Sequence, residues 1–327
     1  MTLRSRHMIA YAAAMLALMI LQICCYATPF ARLSDYDIDI VYTLISQIFC
    51  MGILPFSVLL ILNRGKLAEP LRTMRYKAPR DGKVCLLVSL GMIVLIVPFT
   101  MAFNALTNLF FQIVGYKRSY PVGTIYGDVK DFFVMLVITA VLPAVFEEFS
   151  HRGLLLSGLE SRGSEKSAVI LSAVMFGLMH MNPTQMVYAT FGGLVFGYAV
   201  VKCDSMIPAM CAHFGNNAIS VLLDYSKQKQ NALGVWYDKM TSSNTVFAIG
   251  LTFAVLGFAL YGMVVLLQYA ERNAPRPVTE GKLLGILTVD TYLPDGKATL
   301  KDNALLLATM IAEGVCLLTL FLWGIAR

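Results

Sequence analysis

The sequence predicts an all-α integral membrane protein, a bundle of eight or nine transmembrane helices with a polar site buried inside it. Three observations carry this. Of 327 residues 57% are hydrophobic and only 14% charged, with a mean hydropathy of +0.68, a composition foreign to water-soluble domains of this size. The apolar residues form runs long enough to cross a hydrocarbon layer of about 30 Å. One of these runs also holds two carboxylates, a histidine and an arginine, in Pro143-Ala144-Val145-Phe146-Glu147-Glu148-Phe149-Ser150-His151-Arg152-Gly153. Each such group costs about 3 kcal/mol in hydrocarbon even on a lenient scale, so these groups face a protein interior or a wet cavity and mark function.

Nine spans are read in order: Met8–Ala27, Ile38–Leu62, Val84–Val114, Asp128–Phe146 with a continuation to about Glu160, Ser167–Met181, Gln185–Val201, Met206–Leu223, Thr245–Tyr269 and Ala304–Ile325. Arg4 and Arg6 precede the first, as in a signal peptide. Its apolar core is too long for one and no small-x-small cleavage site follows, so it is expected to stay as an anchor. With the N-terminus inside, most of the 26 lysines and arginines fall on the inner side, above all in the basic loop 63–83. That bias predicts a cytoplasmic N-terminus.

Three regions are expected. Residues 1–127 hold three spans and the basic loop 63–83, residues 128–225 a core of four spans, and residues 226–327 the last spans with a polar inner loop, 271–303. In that loop Pro294-Asp295-Gly296 reads as a turn, and the alternation about Leu287–Tyr292 as a small hairpin. No internal repeat of the transporter kind is evident. The seven cysteines lie in or beside apolar runs without metal-site or disulfide spacing and read as small buried hydrophobes. Nothing in the net charge of +6 points to nucleic acid.

Three of the four histidines, His151, His180 and His213, fall in the central third. The fourth helix should turn near Gly163. Glu147 lies as many residues before that turn as His180 lies after it, within one, so an antiparallel pair brings both to one depth, roughly 20 Å from the turn. His213 lies about 12 Å above the next turn, at Cys203-Asp204-Ser205, and shares a helix face with Asn217, four residues on. A carboxylate beside an imidazole can hold and deprotonate a water. A second imidazole with an amide can stabilise the oxyanion formed when water attacks a carbonyl. The same groups could instead bind zinc as two histidines and one glutamate. Gln47, Asn104, Asn108, Gln112 and Glu313 are read as structural polar residues.

These blocks resemble the CAAX protease and bacteriocin-processing (Abi) family, which includes the type II CAAX prenyl endopeptidases. Its pattern appears here as Glu147-Glu148-x-x-x-Arg152, Phe176-x-x-x-His180 and His213-x-x-x-Asn217, and the resemblance covers about Asp128–Tyr225. It implies that Glu147 with His180 activates the hydrolytic water, that His213 and Asn217 form the oxyanion hole, and that Arg152 braces Glu148. It implies no required cofactor; in the zinc alternative the ligands are Glu147, His180 and His213. His151 departs from the pattern, which commonly has an aromatic or apolar residue before the arginine, and reads as a neutral substitution on the helix surface. His-Glu-x-x-His, Gly-x-Ser-x-Gly and Gly-x-Gly-Asp motifs of rival intramembrane proteases are absent.

The expected function is therefore that of an intramembrane endopeptidase acting on a membrane-associated peptide or a lipidated protein. The expected setting is the lipid bilayer of a bacterial cell membrane. The alternative is a non-catalytic scaffold of the same fold that regulates a membrane partner.

Overall fold

The computed structural model describes residues 2–27, 35–79, 81–116, 126–160, 165–242, 246–273, 282–283, 287–288 and 300–326. In chain order they form α1 (Leu3–Ala27), α2 (Asp35–Leu44), a wide π-helical segment π1 (Ile45–Ile53), α3 (Leu54–Leu62) and α4 (Ala68–Thr73). Then come α5 (Gly82–Ile113), α6 (Val129–Met135), π2 (Leu136–Val141), α7 (Leu142–Glu148), π3 (Phe149–Leu156) and α8 (Ser157–Glu160). The remainder is α9 (Glu165–Leu178), α10 (Pro183–Cys203), α11 (Ile207–Gln228), α12 (Ala232–Ser242), α13 (Val246–Asn273) and α14 (Leu300–Ala326). The one exception to helix among the described residues is an antiparallel pair, β1 (Lys282–Leu283) with β2 (Leu287–Thr288). Leu287 and Thr288 of the expected hairpin thus pair with Leu283 and Lys282, while Val289–Tyr292 and the expected turn Pro294-Asp295-Gly296 lie outside the described residues.

The protein is an integral membrane protein with six described helices long and apolar enough to cross a bilayer: Leu3–Cys25, Ile40–Leu62, Gly82–Ile113, Val129–Glu160, Gln185–Cys203 and Ile249–Asn273. Three of the nine expected spans do not reach that length and apolarity among the described residues. The 14 residues of α9 rise only about 21 Å. Helix α11 is long enough, but His213, Asn216, Asn217, Asp224 and Lys227 make it too polar. In the last helix the apolar stretch is the shorter Ala304–Thr319.

Capping fixes where two of the long helices begin. The Asp81 side chain accepts from the backbone N–H of Lys83 and Val84 at the start of α5. Asp128 and Asp131 form a reciprocal capping box ahead of α6. The outward faces carry Leu16, Ile20, Leu86, Leu90, Val94 and Phe258, all exposed, as lipid contact demands. Ionisable groups go the other way: Glu147, Glu148, His151, Arg152 and His213 are all buried.

Two close approaches shape the region around them. Helix α10 crosses α9 on Gly193 and Gly197, spaced four apart. A Cβ on Gly193 would lie 3.0 Å from the Ala173 Cα, and one on Gly197 3.2 Å from Val169, the small-residue contact typical of membrane helices. At one end of the bundle, residues after α4 dock beneath the fourth span. Met74 is fully buried against Gly153, and the Tyr76 ring lies 6.1 Å from that of Phe149. Arg75 clamps this segment with a two-pronged bond to Glu160 (2.6 and 3.1 Å) and a third to Asp204 (3.2 Å). Lys77 adds a bond to the other Asp204 oxygen at 2.6 Å, and the backbone N–H of Met206 donates to the Arg75 carbonyl. These basic residues hold the loop in place.

Candidate active site

Two prolines prepare the site. A proline has no N–H for the carbonyl four residues back, so Pro55 leaves the Met51 carbonyl, and Pro143 the Thr139 carbonyl, open to other donors. Each is taken by a side chain from elsewhere. Ser150 Oγ donates to Met51 O at 3.0 Å, and Asn217 Nδ2 donates to Thr139 O at 3.0 Å. Both prolines follow wide turns, π1 and π2, and a third wide turn, π3, carries Ser150, His151 and Arg152. Wide turns of this kind recur at functional sites.

Around this frame the charged groups meet. Arg152 and Glu148 are both 0% exposed. Arg152 Nη1 donates to Glu148 Oε1 at 2.9 Å, and Nη2 donates to the Gly193 carbonyl at 3.3 Å. The Gly193 crossing is what brings that carbonyl within reach. His213 Nδ1 donates to the same Glu148 oxygen at 2.9 Å. Its Nε2 lies 3.7 Å from Glu147 Oε2, so one imidazole links both carboxylates. Gln47, from π1, donates through Nε2 to the other Glu147 oxygen, Oε1, at 2.7 Å.

Phe176 is the shared wall. The Arg152 guanidinium lies 4.2 Å from its ring centre, a cation–π contact. The rings of His151, His180 and His213 meet it edge-on at 5.2, 5.1 and 5.7 Å. His213 also stacks on Phe196 at 5.7 Å. His180 Nδ1 lies 2.7 Å from the Phe176 carbonyl. A carbonyl only accepts, so Nδ1 carries the hydrogen and Nε2 keeps its lone pair.

The structure therefore brings Glu147, Glu148, Arg152 and His213 into direct contact. His180 joins them across the Phe176 ring without a hydrogen bond to Glu147. Asn217 is turned to Thr139, and its amide oxygen accepts from Asn216 Nδ2 at 3.1 Å.

One reading is corrected. His151 is not on the helix surface but wholly buried. Its Nδ1 donates to the Glu147 carbonyl at 3.2 Å, and its Nε2 accepts from the Tyr11 hydroxyl at 3.3 Å. Gln47, read as a structural polar residue, bonds Glu147 directly. A polar residue in an apolar run was its only signal; Tyr11 and Phe196 gave none.

Among the described residues, no three His, Cys, Asp or Glu side chains form a set able to hold a metal ion. His213 bonds Glu148 and His180 bonds the Phe176 carbonyl through Nδ1, so neither bond occupies Nε2. Glu147, His180 and His213 do not form such a set.

One comparison bears on this cluster. Residues 129–219 match the family model described as type II CAAX prenyl endopeptidase, Rce1-like. The Rce1-like segment contains Glu147, Glu148, Arg152, Phe176, His180, His213 and Asn217, so every residue of the sequence pattern lies within it. Gln47 and Tyr11 lie outside. No curated protein and no solved structure matches the chain.

Proposed function

We propose that the protein is an intramembrane endopeptidase that hydrolyses a peptide bond of a membrane-associated peptide or lipidated protein with a water activated by Glu147. The observation that carries this is Glu147 Oε2. It is a buried carboxylate oxygen with no hydrogen-bond donor among the described residues, 3.7 Å from His213 Nε2, inside a bundle of membrane helices. Buried polar atoms are rarely left so unless something is meant to bind there.

In this reading a water donates one hydrogen to Glu147 Oε2 and the other to His180 Nε2. Glu147 takes the first proton as the water oxygen bonds to the substrate carbonyl carbon. The oxyanion that forms receives hydrogen bonds from protonated His213 through Nε2 and from the second amide hydrogen of Asn217 Nδ2. Glu148, braced by Arg152, is the counter-ion of that imidazolium. Glu147 then passes its proton to the leaving nitrogen as the C–N bond breaks, which yields a carboxylic acid and an amine. The positive charge of loop 63–83 supports a cytoplasmic N-terminus in a cell membrane, a bacterial one in this reading.

The test is cleavage of a fluorogenic lipidated-peptide library by purified protein in nanodiscs, with and without a chelator. Glu147→Gln is expected to lose about 1,000-fold in kcat/KM, while the wild type keeps its rate in chelator. Undiminished cleavage by Glu147→Gln overturns the assignment. No cleavage by folded wild type turns the reading toward a non-catalytic scaffold.

A further inference from the structure

We infer that Gln47 is a positioning residue for the attack of water, supplied by a helix outside the Rce1-like segment. This rests on the reading of Glu147 as the base.

A carboxylate has two equivalent oxygens and a side chain free to turn, so one oxygen must be tied before the other can be aimed. Gln47 Nε2 does this at 2.7 Å, which leaves Oε2 as the Glu147 oxygen on the His213 side. Both partners are buried, Gln47 at 8% exposure and Glu147 at 7%, so bulk water does not compete for the bond.

The register of π1 against α7 is held from both sides. Ser150 bonds the Met51 carbonyl. Gly52 lets the Phe146 ring approach so closely that a Cβ there would lie 2.7 Å from two ring carbons.

Gln47 Oε1 and Glu147 Oε2 are both buried acceptors with no donor among the described residues. The pair here presents acceptors alone, which suits a guest that brings donors. Water brings two. An amide cannot take the proton at this step, so Gln47 orients and Glu147 reacts.

The experiment compares wild type, Glu147→Gln, Gln47→Met and Gln47→Asn in the same nanodisc cleavage assay, together with infrared spectra of the protein. Gln47→Met keeps length without a donor; Gln47→Asn keeps the amide but draws it back by one methylene and guards against unfolding. Both are expected to lower kcat by about 100-fold, the cost of a misplacement on the order of 1 Å, with KM within about threefold because uniform binding is untouched. The carboxylate band that disappears in Glu147→Gln should shift in both Gln47 variants, which a merely structural role would not produce. If Glu147→Gln is inactive while both Gln47 variants keep kcat and leave the band in place, the positioning role is overturned and the functional reading stands. If Glu147→Gln cleaves normally, the functional reading falls and takes this inference with it.

Discussion

The chain holds two charge networks of similar make-up, and they are finished differently. The clamp at the end of the bundle joins Arg75 and Lys77 to Glu160 and Asp204, and both oxygens of each carboxylate have a donor within 3.2 Å. In the central cluster Arg152, Glu148, His213, Glu147 and Gln47 are as closely linked, yet Glu147 Oε2, Glu148 Oε2, Gln47 Oε1 and Arg152 Nε have no hydrogen-bond partner among the described residues. A closed network has nothing left to offer a ligand and serves to hold a loop. An open one in a buried place keeps bonding capacity in reserve at a cost of about 1–3 kcal/mol per unmet group. That cost makes sense where chemistry is done.

The difference can be sharpened by removing the arginine from each. Arg152→Met should have the larger effect, because it removes the arginine partner of a carboxylate at 0% exposure and leaves Glu148 only its bond from His213. A loss of about 3–5 kcal/mol is expected, read as a lowered midpoint of thermal unfolding in detergent, with cleavage lost as well. Arg75→Ala takes both arginine bonds from Glu160 and one from Asp204, which keeps Lys77, and both carboxylates retain some contact with water, at 11% side-chain exposure each. About 1–3 kcal/mol should go, with cleavage at a temperature where the variant is folded within about twofold of wild type. A larger loss of cleavage than of stability there would erase the distinction between the networks. Lys77→Ala should do least, less than about 1 kcal/mol by the same unfolding measurement, since the lysine side chain is 38% exposed and solvent replaces its bond to Asp204.

Much of this was legible in the sequence. Counting residues outward from the turn near Gly163 put Glu147 and His180 at one depth, because helix rise is constant. The fourth helix does continue to Glu160. Span number was less legible, since hydropathy alone cannot tell a lipid-crossing helix from one shielded by neighbours. The partners of the site residues were the least legible. His151 looked like a surface substitution because its burial depends on Tyr11, 140 residues away in sequence. Gln47 reaches Glu147 only because π1 lies against α7, and that proximity belongs to tertiary packing. Pro55 and Pro143 were visible throughout. What they signified, a carbonyl left open four residues back in each case, needed the donors on the other helices to be known.

The wide turns also bear on how this chain tolerates changes of length. A residue lost from an ordinary α-helix rotates everything beyond it by about 100°, which would swing Glu147 away from both Gln47 and His213. A π-helical turn already holds one residue more than an α turn, so a residue lost there can be absorbed by tightening, with the flanking helices still in phase. Segment π2, Leu136–Val141, stands directly before the helix that carries Glu147. It gives the fourth span a place where the chain can shorten by one residue and leave its chemistry facing the same way.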